Sequence, residues 1–557
     1  MASLSSSPLA SALHPTPLNT NNNGADRPSP FHPSVWGDYF LSYSEDPKKI
    51  DEWTSKVGEL KEKVKRMLTT SKGSVEEMIM IDEIQRLGLA YQFEKEINDA
   101  LEHIYDANVD YDDLKTVALR FRLLRQEGYN ISCDAFNKFK GGGSNFKEGL
   151  SSDVEGLLSL YEAAFYGTHG EDTLDEAISF TRGQLTSLMT HLDGPLAAQV
   201  GHALELPMRM RIPRLEARFY ISLFQQQKQQ NDFILELAKL DFNLLQSMHR
   251  IELKELTRWW KDIGLAIKYP FARDRLVEGY LWILGVYFEP QYARARNIIV
   301  KMFKLISIVD DIFDVDGKFE DLMVFTDAVQ RWDPKAMDQL PEYMRPCYLS
   351  LLKTVDEIEA ALRTGEKFYR TDYLKHATRV VVQGYFNEAE WLNNGYVPTL
   401  EEYLEVSLIT SGYLYLTGAS YVGMGEEATE KAFDWLKTNP KFVMDSSLVC
   451  RLVDDIHSNE FEQKRPHIAS AVDCYMKEHG VSRPEACYKL REMIASAWKD
   501  MNKFCVKPTP FPLSLLMRVI NLARVMEVLY LYGDGYSNSS HETKQKIKAV
   551  LVDPITM

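Results

Sequence analysis

The sequence of 557 residues has few cysteines, no long apolar run and no excess of positive charge. Its six cysteines are scattered without a CxxC pair, which predicts reduced thiols rather than a disulfide framework. The longest apolar stretch, Gly279 to Phe288, is far shorter than the roughly 18 residues that span a membrane. The formal net charge of −16 argues against a nucleic-acid partner, because phosphate backbones require a basic surface. We therefore expect a soluble globular protein without a membrane span.

The N-terminal segment also lacks basic residues. Residues 1–26 are rich in Ser, Pro and Asn and contain neither Lys nor Arg. Secretory signals start with basic residues, and organelle transit peptides are rich in arginine. We therefore predict a disordered leader over residues 1–26 and a cytosolic protein.

Sustained alternation of apolar and polar residues, the pattern of a half-buried strand, is absent. Apolar residues instead recur at intervals of three and four, which predicts an all-α protein. The polar run from Gln225 to Asp232 predicts a domain boundary near residue 235. We expect an N-terminal helical domain over residues 27–235 and a C-terminal helical domain over residues 236–557.

Two groups of acidic residues at helical spacing lie in the C-terminal domain. The first acidic ladder consists of Asp310, Asp311 and Asp314. The second acidic ladder consists of Asp454, Ser458 and Glu462. Residues four apart lie on one face of a helix, so each ladder should present its oxygen atoms in one direction.

The sequence around the first ladder distinguishes it from a chance pattern. Glu401, Glu402 and Glu405 repeat its spacing in a polar segment, where exposure to solvent explains them. The first ladder stands in LISIVDDIFD, so part of its acidic face should approach the protein interior. Buried carboxylates without partners are costly, and a bound cation removes that cost. The all-oxygen ligand set favours Mg2+ or Mn2+ over Zn2+.

Three arginines could complement such a metal site. Arg273 and Arg275 precede the first ladder, and Arg451 lies three residues before Asp454. The planar guanidinium suits phosphate oxygens, so these side chains are candidates for binding a diphosphate. An EF-hand at DVDGKFED is excluded, because its glycine stands at the wrong position relative to the acids. A non-enzymatic helical interaction protein would explain the helices but not the buried acids.

Several ordered motifs resemble the class I terpene synthases of plants, in particular the sesquiterpene synthases. The two ladders resemble the aspartate-rich and NSE/DTE motifs of that family. Arg27, nine residues before Trp36, is similar to its N-terminal arginine–tryptophan motif. Further similar segments, spread over some 500 residues, are LKTVALRFRLLRQEGYNIS, HGEDTLDEA, FARDR, QRWD, YFNEAEW and DGY.

The resemblance implies a role for each ladder residue. Asp310 and Asp314 would hold two Mg2+ ions, and the second ladder would hold a third. Asp311 would support the ligands from behind. Arg273 and Arg451, with Arg275, would bind the diphosphate.

The resemblance also implies a lined and covered pocket. Trp282 and Tyr530 would be pocket aromatics that stabilise carbocations, and Asp534 and Tyr536 would belong to a lid. Thr410 would lie at a helix break beside the pocket. Arg27 and Trp36 would belong to an N-terminal cap over the active site.

Two related enzyme classes share parts of these patterns. Asp110 to Asp113 spell the DxDD of class II terpene cyclases, but their polar context predicts a helix N-cap instead. Isoprenyl chain-elongating transferases resemble a chain near 350 residues with two aspartate-rich motifs, unlike the second ladder here.

The function expected from this resemblance is the conversion of farnesyl diphosphate to a sesquiterpene, expected to be cyclic, and diphosphate. Three Mg2+ ions are expected, with Mn2+ as a substitute, in a monomer. The alternative is a monoterpene synthase acting on geranyl diphosphate. The lack of an arginine-rich plastid leader, together with Arg27-Pro28 in place of tandem arginines, favours farnesyl diphosphate.

Overall fold

The computed structural model describes residues 31–70, 73–141, 145–226, 232–362, 368–462 and 468–557, without the side chains of residues 460–462. In these ranges all regular structure is helical apart from isolated bridges at Lys140–Phe146 and Leu531–Gly533. The prediction of an all-α fold is confirmed. The predicted leader lies outside the described residues, as does Arg27. No described helix is long and apolar enough to cross a membrane.

The structure divides into an N-terminal and a C-terminal helical body. The helices of the N-terminal body are α1 (Pro47–Thr70), α2 (Val75–Arg86), α3 (Glu94–Ala107), α4 (Leu114–Gln126), α5 (Val154–Ala164), α6 (Asp172–Leu188), α7 (Gly194–Glu205) and α8 (Pro213–Phe224). The helices that follow are α9 (Asp232–Ile263), α10 (Leu265–Lys268), α11 (Leu276–Val286), α12 (Ala293–Asp311), α13 (Phe319–Arg331), α14 (Arg345–Leu362), α15 (Phe368–Asn394), α16 (Leu400–Thr410), α17 (Tyr413–Val422), α18 (Glu430–Leu436), α19 (Lys441–Glu462), α20 (Ala471–His479), α21 (Arg483–Phe504), α22 (Leu513–Leu529) and α23 (Glu542–Ile547).

Several of these helices begin at an N-cap side chain, at a position where the sequence predicts a helix start. The Asp113 carboxylate accepts a hydrogen bond from the Thr116 backbone N–H at 2.8 Å, which caps α4. This confirms that the DxDD segment is a helix N-cap. Thr399 and Glu402 form a capping box on α16, which satisfies two backbone donors that a helix start leaves unpaired.

Helix α9 connects the two bodies. Ile234 and Leu237 in its first turns belong to the apolar core of the N-terminal body, whereas Leu253 and Leu256 belong to the core of the C-terminal body. The chain end returns to the first of these cores through Ile555. The predicted boundary near residue 235 therefore falls inside a helix that both bodies share, and the domain limits stay a prediction.

The pocket described below lies within the C-terminal body, among α11, α12, α15, α16, α17, α19 and α22. The break between α16 and α17 shapes one wall. Gly412 sits at this break with φ of +76°, a conformation that glycine adopts without the steric cost of a side chain. The break places Thr410, Ser411 and Gly412 on the pocket surface.

Candidate active site

Both acidic ladders line one cavity of about 250 Å³. Asp310, Asp311 and Asp314 contribute to one wall, and Asp454 and Ser458 to another. The backbone of Glu462 continues α19, but its side chain lies outside the described residues. The structure thus brings together every ladder residue whose side chain it describes.

The first ladder spans the end of a helix. Helix α12 ends at Asp311, and the chain continues as a π-helical turn over Ile312–Asp316. A π-turn has i to i+5 hydrogen bonds and commonly marks a functional site. Asp314 stands in this turn and is exposed to the cleft, whereas Asp311 is 1% exposed. The sequence predicted an acidic face directed inward, and the structure divides that face between cleft and interior.

Arg273 fixes the orientation of Asp310 and Asp311, which we call the first acidic pair. Its guanidinium bonds the Asp310 carboxylate at 2.6 Å and the Asp311 carboxylate at 2.8 Å. The Arg273 backbone N–H also donates to Asp311 at 2.8 Å. Burial raises the pKa of Asp311 above its ordinary value, although the Arg273 charge opposes that shift. Arg273 therefore holds both carboxylates in place, and Asp310 remains directed at the cavity.

The second acidic pair repeats this arrangement. Arg451 lies 3.4 Å from the Asp454 carboxylate and 3.6 Å from that of Asp455. Asp455 is buried and accepts hydrogen bonds from the Tyr403 hydroxyl and the Ala471 backbone N–H, both at 2.8 Å. Each pair thus has one partly exposed acid, Asp310 or Asp454, one buried acid, Asp311 or Asp455, and an arginine that contacts both.

The donor set at the cavity fits a hard divalent cation. Ser458 is 7% exposed, and its buried Oγ has no hydrogen-bond partner among the described atoms. Such an atom is costly unless a ligand completes its coordination. Among the described side chains, no three His, Cys, Asp or Glu residues come close enough to hold an ion by themselves. Phosphate oxygens and water would therefore have to complete the coordination, as is usual for Mg2+.

Electrostatic repulsion at the first ladder also favours a bound cation. Water reaches Asp314 through the cleft, but protein groups surround the cleft and replace much of the solvent around the carboxylate. This desolvation is the largest cause that raises the pKa of Asp314 well above its ordinary value, and repulsion from Asp310 and Glu388 adds to it. A cation between these carboxylates would relieve the repulsion.

Glu388 on α15 is a site residue that the sequence analysis missed. It lines the cavity, is 7% exposed and accepts a hydrogen bond of 2.6 Å from the Thr410 hydroxyl. Burial raises the pKa of Glu388 to about 7. Its motif, YFNEAEW, is among the segments that carry the family resemblance, and this was the available signal.

The raised pKa of Glu388 predicts a pH-dependent stability of the metal-free protein. Between the ordinary value of 4.5 and about 7, the folded protein holds a proton that the unfolded chain has released. The free energy of unfolding therefore decreases as pH rises through this interval, by on the order of 3 kcal/mol in total. Glu388→Gln should raise the melting temperature in EDTA near pH 8, and by less near pH 5.

The matched control for this measurement is Glu405→Gln, because Glu405 lies on the exposed face of α16. Its melting temperature should follow that of the unmodified protein at both pH values. A gain for Glu388→Gln that does not depend on pH would contradict the assigned pKa.

Aromatic rings form the apolar part of the cavity. The Trp282 ring centroid lies 5.6 Å from that of Phe303, 6.4 Å from that of Tyr530 and 5.8 Å from that of Tyr536. Tyr413 contacts the Trp282 ring from another side. The structure thus brings the predicted aromatics together and adds Phe303 and Tyr413. Phe303 lies seven residues before Asp310, two helical turns along the same face, which is a signal in the sequence.

The predicted lid residues also line the cavity. The Asp534 carboxylate accepts hydrogen bonds from the backbone N–H groups of Tyr536 and Ser537, both at 2.9 Å. Tyr536 is buried, and its hydroxyl lies 3.0 Å from the Ser307 hydroxyl. Asp534 therefore shapes the turn that carries Tyr536 over the aromatic wall.

Two predicted residues lie away from the cavity surface. Arg275 is fully buried and donates its hydrogen bonds to main-chain carbonyl groups. Trp36 packs against Tyr39 and Phe40 in the core of the C-terminal body. The segment around it reaches the cavity through Phe31.

Comparisons with known proteins show the family of the chain. Residues 261–500 match the model described as the terpene synthase family, metal binding domain, and residues 35–204 match the terpene synthase N-terminal domain. The chain belongs to the terpene synthase family. It is 50% identical to (-)-germacrene D synthase of Vitis vinifera over 94% of this chain and 95% of that protein. It is 49% identical to sesquiterpene synthase 2 of Toona sinensis over 94% and 96% of the two chains.

Solved structures of similar enzymes have the same fold. Limonene synthase with 2-fluorolinalyl diphosphate matches with a TM-score of 0.91 at 34% identity, covering 94% of this chain and 99% of that one. Isoprene synthase from grey poplar, in complex with three Mg2+ ions and dimethylallyl-S-thiolodiphosphate, matches with a TM-score of 0.86 at 36% identity. That match covers 93% of this chain and 98% of that one. The two-domain class I terpenoid fold is therefore confirmed, and the chain is a terpene synthase.

Proposed function

We propose that this enzyme is a sesquiterpene synthase that ionises farnesyl diphosphate with the help of Mg2+. The observation that carries the proposal is a cavity that acidic residues line on two walls and aromatic rings line elsewhere. The similarity to enzymes named as sesquiterpene synthases supports the fifteen-carbon substrate.

The polar part of the cavity would receive the diphosphate. Asp310 and Asp314 would hold two Mg2+ ions, and the second ladder, with Glu462, would hold a third. Bound Mg2+ supplies Lewis-acid stabilisation of the negative charge on the departing diphosphate.

The arginines would assist from both walls. Burial alone would lower the pKa of the Arg273 and Arg451 guanidinium groups. Asp311 and Asp310 beside Arg273, and Tyr403, Asp455 and Asp454 beside Arg451, outweigh it and raise each pKa well above its ordinary value, so both arginines keep their positive charge. They would therefore attract the diphosphate and stabilise it after the carbon–oxygen bond breaks.

The apolar part of the cavity would hold the prenyl chain. Aromatic faces attract a positive charge without reacting with it, each by roughly 0.5–2 kcal/mol. Trp282, Phe303 and Tyr530 present such faces. Exclusion of water from this space would allow the carbocation to cyclise before it is quenched.

Monoterpene synthesis from geranyl diphosphate is the second candidate, because the fold matches limonene synthase with a TM-score of 0.91. The experiment that separates the two is incubation of the purified enzyme with each diphosphate and Mg2+, followed by analysis of volatile products. Sesquiterpenes from farnesyl diphosphate, formed at a higher kcat/KM than products from geranyl diphosphate, are expected. The absence of volatile terpenes from both substrates would refute the proposal.

The remaining expectations concern properties outside the cavity. Substitution of Mn2+ for Mg2+, a monomeric state, a cytosolic location and the N-terminal cap role of Arg27 and Trp36 stay predictions.

A further inference from the structure

Arg275 donates its side-chain hydrogen bonds to backbone carbonyl groups. Its Nε donates to the Tyr536 carbonyl at 3.1 Å, and its Nη1 donates to the Asp274 carbonyl at 3.1 Å. Its Nη2 donates to the His32 carbonyl at 2.8 Å and to the Ser537 carbonyl at 3.0 Å. Four of the five N–H donors of a guanidinium are therefore occupied. Because the side chain is fully buried, the guanidinium has no pair of N–H groups directed at the cavity that could bind a phosphate.

These bonds join three segments that are distant in sequence. They connect the N-terminal segment at His32, the turn at Asp274 and residues 534–539, which we name the lid loop. A second contact reinforces the junction, because the Ser539 backbone N–H donates to the His32 ring at 3.2 Å.

Lys304 of α12 contacts the lid loop from the protein interior. Its side chain is fully buried. Its Nζ donates to the Arg273 carbonyl at 3.2 Å and to the Tyr536 hydroxyl at 3.4 Å. The ammonium also lies 5.1 Å from the Trp260 ring and 5.9 Å from the Tyr536 ring, within the range of a cation–π contact.

Glu278 completes the charged group beneath the loop. It is 1% exposed and accepts a hydrogen bond of 2.7 Å from the Ser539 hydroxyl. Its second carboxylate oxygen has no partner among the described atoms. Burying Arg275, Lys304 and Glu278 carries a desolvation cost that apolar side chains at these positions would avoid. Because their hydrogen bonds are directional, these three side chains favour the loop geometry in which all of the bonds form.

The same contacts reach the first acidic ladder. Arg273, whose carbonyl receives the Lys304 bond, also lies 3.5 Å from the Ser537 hydroxyl of the lid loop. Its guanidinium orients Asp310 and Asp311. The position of the lid loop and the position of the diphosphate-facing arginine are thus connected through neighbouring hydrogen bonds.

We propose that Arg275 and Lys304 are positioning residues that hold the lid loop in place and thereby exclude water from the cavity during ionisation. We name their contacts with the lid loop, together with the bond between Ser539 and Glu278, the latch. This inference rests on the proposed function. With the latch weakened, a water oxygen would donate an electron pair to the carbocation and form a carbon–oxygen bond. The water would then release one proton to solvent, giving a terpene alcohol in place of a hydrocarbon.

Three variants test the latch. Arg275→Lys keeps the charge but removes the planar fork, Lys304→Met keeps the length but removes the charge, and Ser539→Ala removes the bond to Glu278. The control is Arg370→Lys, because Arg370 is also buried and donates to the carbonyls of Val422 and Ala428 away from the cavity.

Two readouts are needed for each protein. Amide hydrogen exchange of residues 535–539 is measured with Mg2+ and inorganic diphosphate, and requires no turnover. The ratio of alcohols to hydrocarbons from farnesyl diphosphate is measured in 18O-labelled water, which marks every alcohol formed by water capture.

The latch variants should exchange the loop amides about tenfold faster than the unmodified enzyme. Their labelled alcohol fraction should rise by about threefold or more. The control should change neither. Unchanged loop exchange in both Lys304→Met and Ser539→Ala, or faster exchange with an unchanged alcohol fraction, would overturn the proposal. If the unmodified enzyme forms no terpene, the proposed function fails, and the exchange rates alone decide whether the latch exists.

Discussion

Replacement of Asp310 by alanine is expected to lower kcat by about a thousandfold or more while the protein stays folded. Asp310 presents its carboxylate to the cavity and is one of the oxygen donors that would hold a metal against the departing diphosphate. Its side chain is 27% exposed, so its loss leaves no cavity in the core. Arg273 would keep its bonds to Asp311. Turnover of farnesyl diphosphate with saturating Mg2+, together with thermal unfolding, measures both expectations.

Glu405→Ala is the matched control for this prediction, because Glu405 belongs to the exposed acidic pattern that repeats the ladder spacing. Its kcat should stay within about twofold of the unmodified enzyme. An Asp310→Ala variant that retained the full rate would show that the first ladder does not hold the catalytic metal.

The second large effect is expected for Arg273→Gln, which should lower kcat/KM by about a hundredfold or more. The substitution removes the charge that faces the diphosphate and frees Asp310 from its orienting bond. It also leaves Asp311 buried, with the backbone N–H of residue 273 as its one remaining donor among the described atoms. Breaking one partner of a buried ion pair costs about 3–5 kcal/mol, so the melting temperature should fall as well.

A second substitution separates these two effects. Asp311→Asn in the Arg273→Gln background removes the buried charge and should recover most of the lost stability. The double variant should remain as slow as Arg273→Gln, because the cavity still lacks the guanidinium. Recovery of turnover together with stability would mean that Arg273 acts on the fold alone.

The sequence predicted those features that depend on local periodicity. The helical pattern predicted an all-α chain, and the spacing within each ladder predicted residues that share a face. Asp310 and Asp314 of the first ladder line the cavity together, as do Asp454 and Ser458 of the second. The polar context of Asp113 predicted a helix cap. Extension of the same spacing by two turns would also have predicted Phe303.

Tertiary contacts set the remaining features. Glu388 belongs to α15, and the packing of α15 against α16 brings it to Thr410. The packing of α15 against α12 and the π-turn brings it to the first ladder. The sequence shows that Arg275 is an arginine beside Arg273, but not that backbone carbonyls 240 residues and more away take its hydrogen bonds. The apolar segment around the first ladder indicated burial, whereas the π-turn at its end directs Asp314 into the cleft. Helix α9 crosses the predicted boundary because its two ends pack into different cores.

The most direct test of the metal assignment is a crystal structure of the enzyme with Mn2+ and inorganic diphosphate, measured at a wavelength where Mn2+ scatters anomalously. Anomalous peaks are expected between the first and second ladders, with oxygen ligands from Asp310, Asp314, Asp454, Ser458 and Glu462. Diphosphate bound without Mn2+ between those walls, or Mn2+ bound only on the outer surface, would contradict the metal assignment.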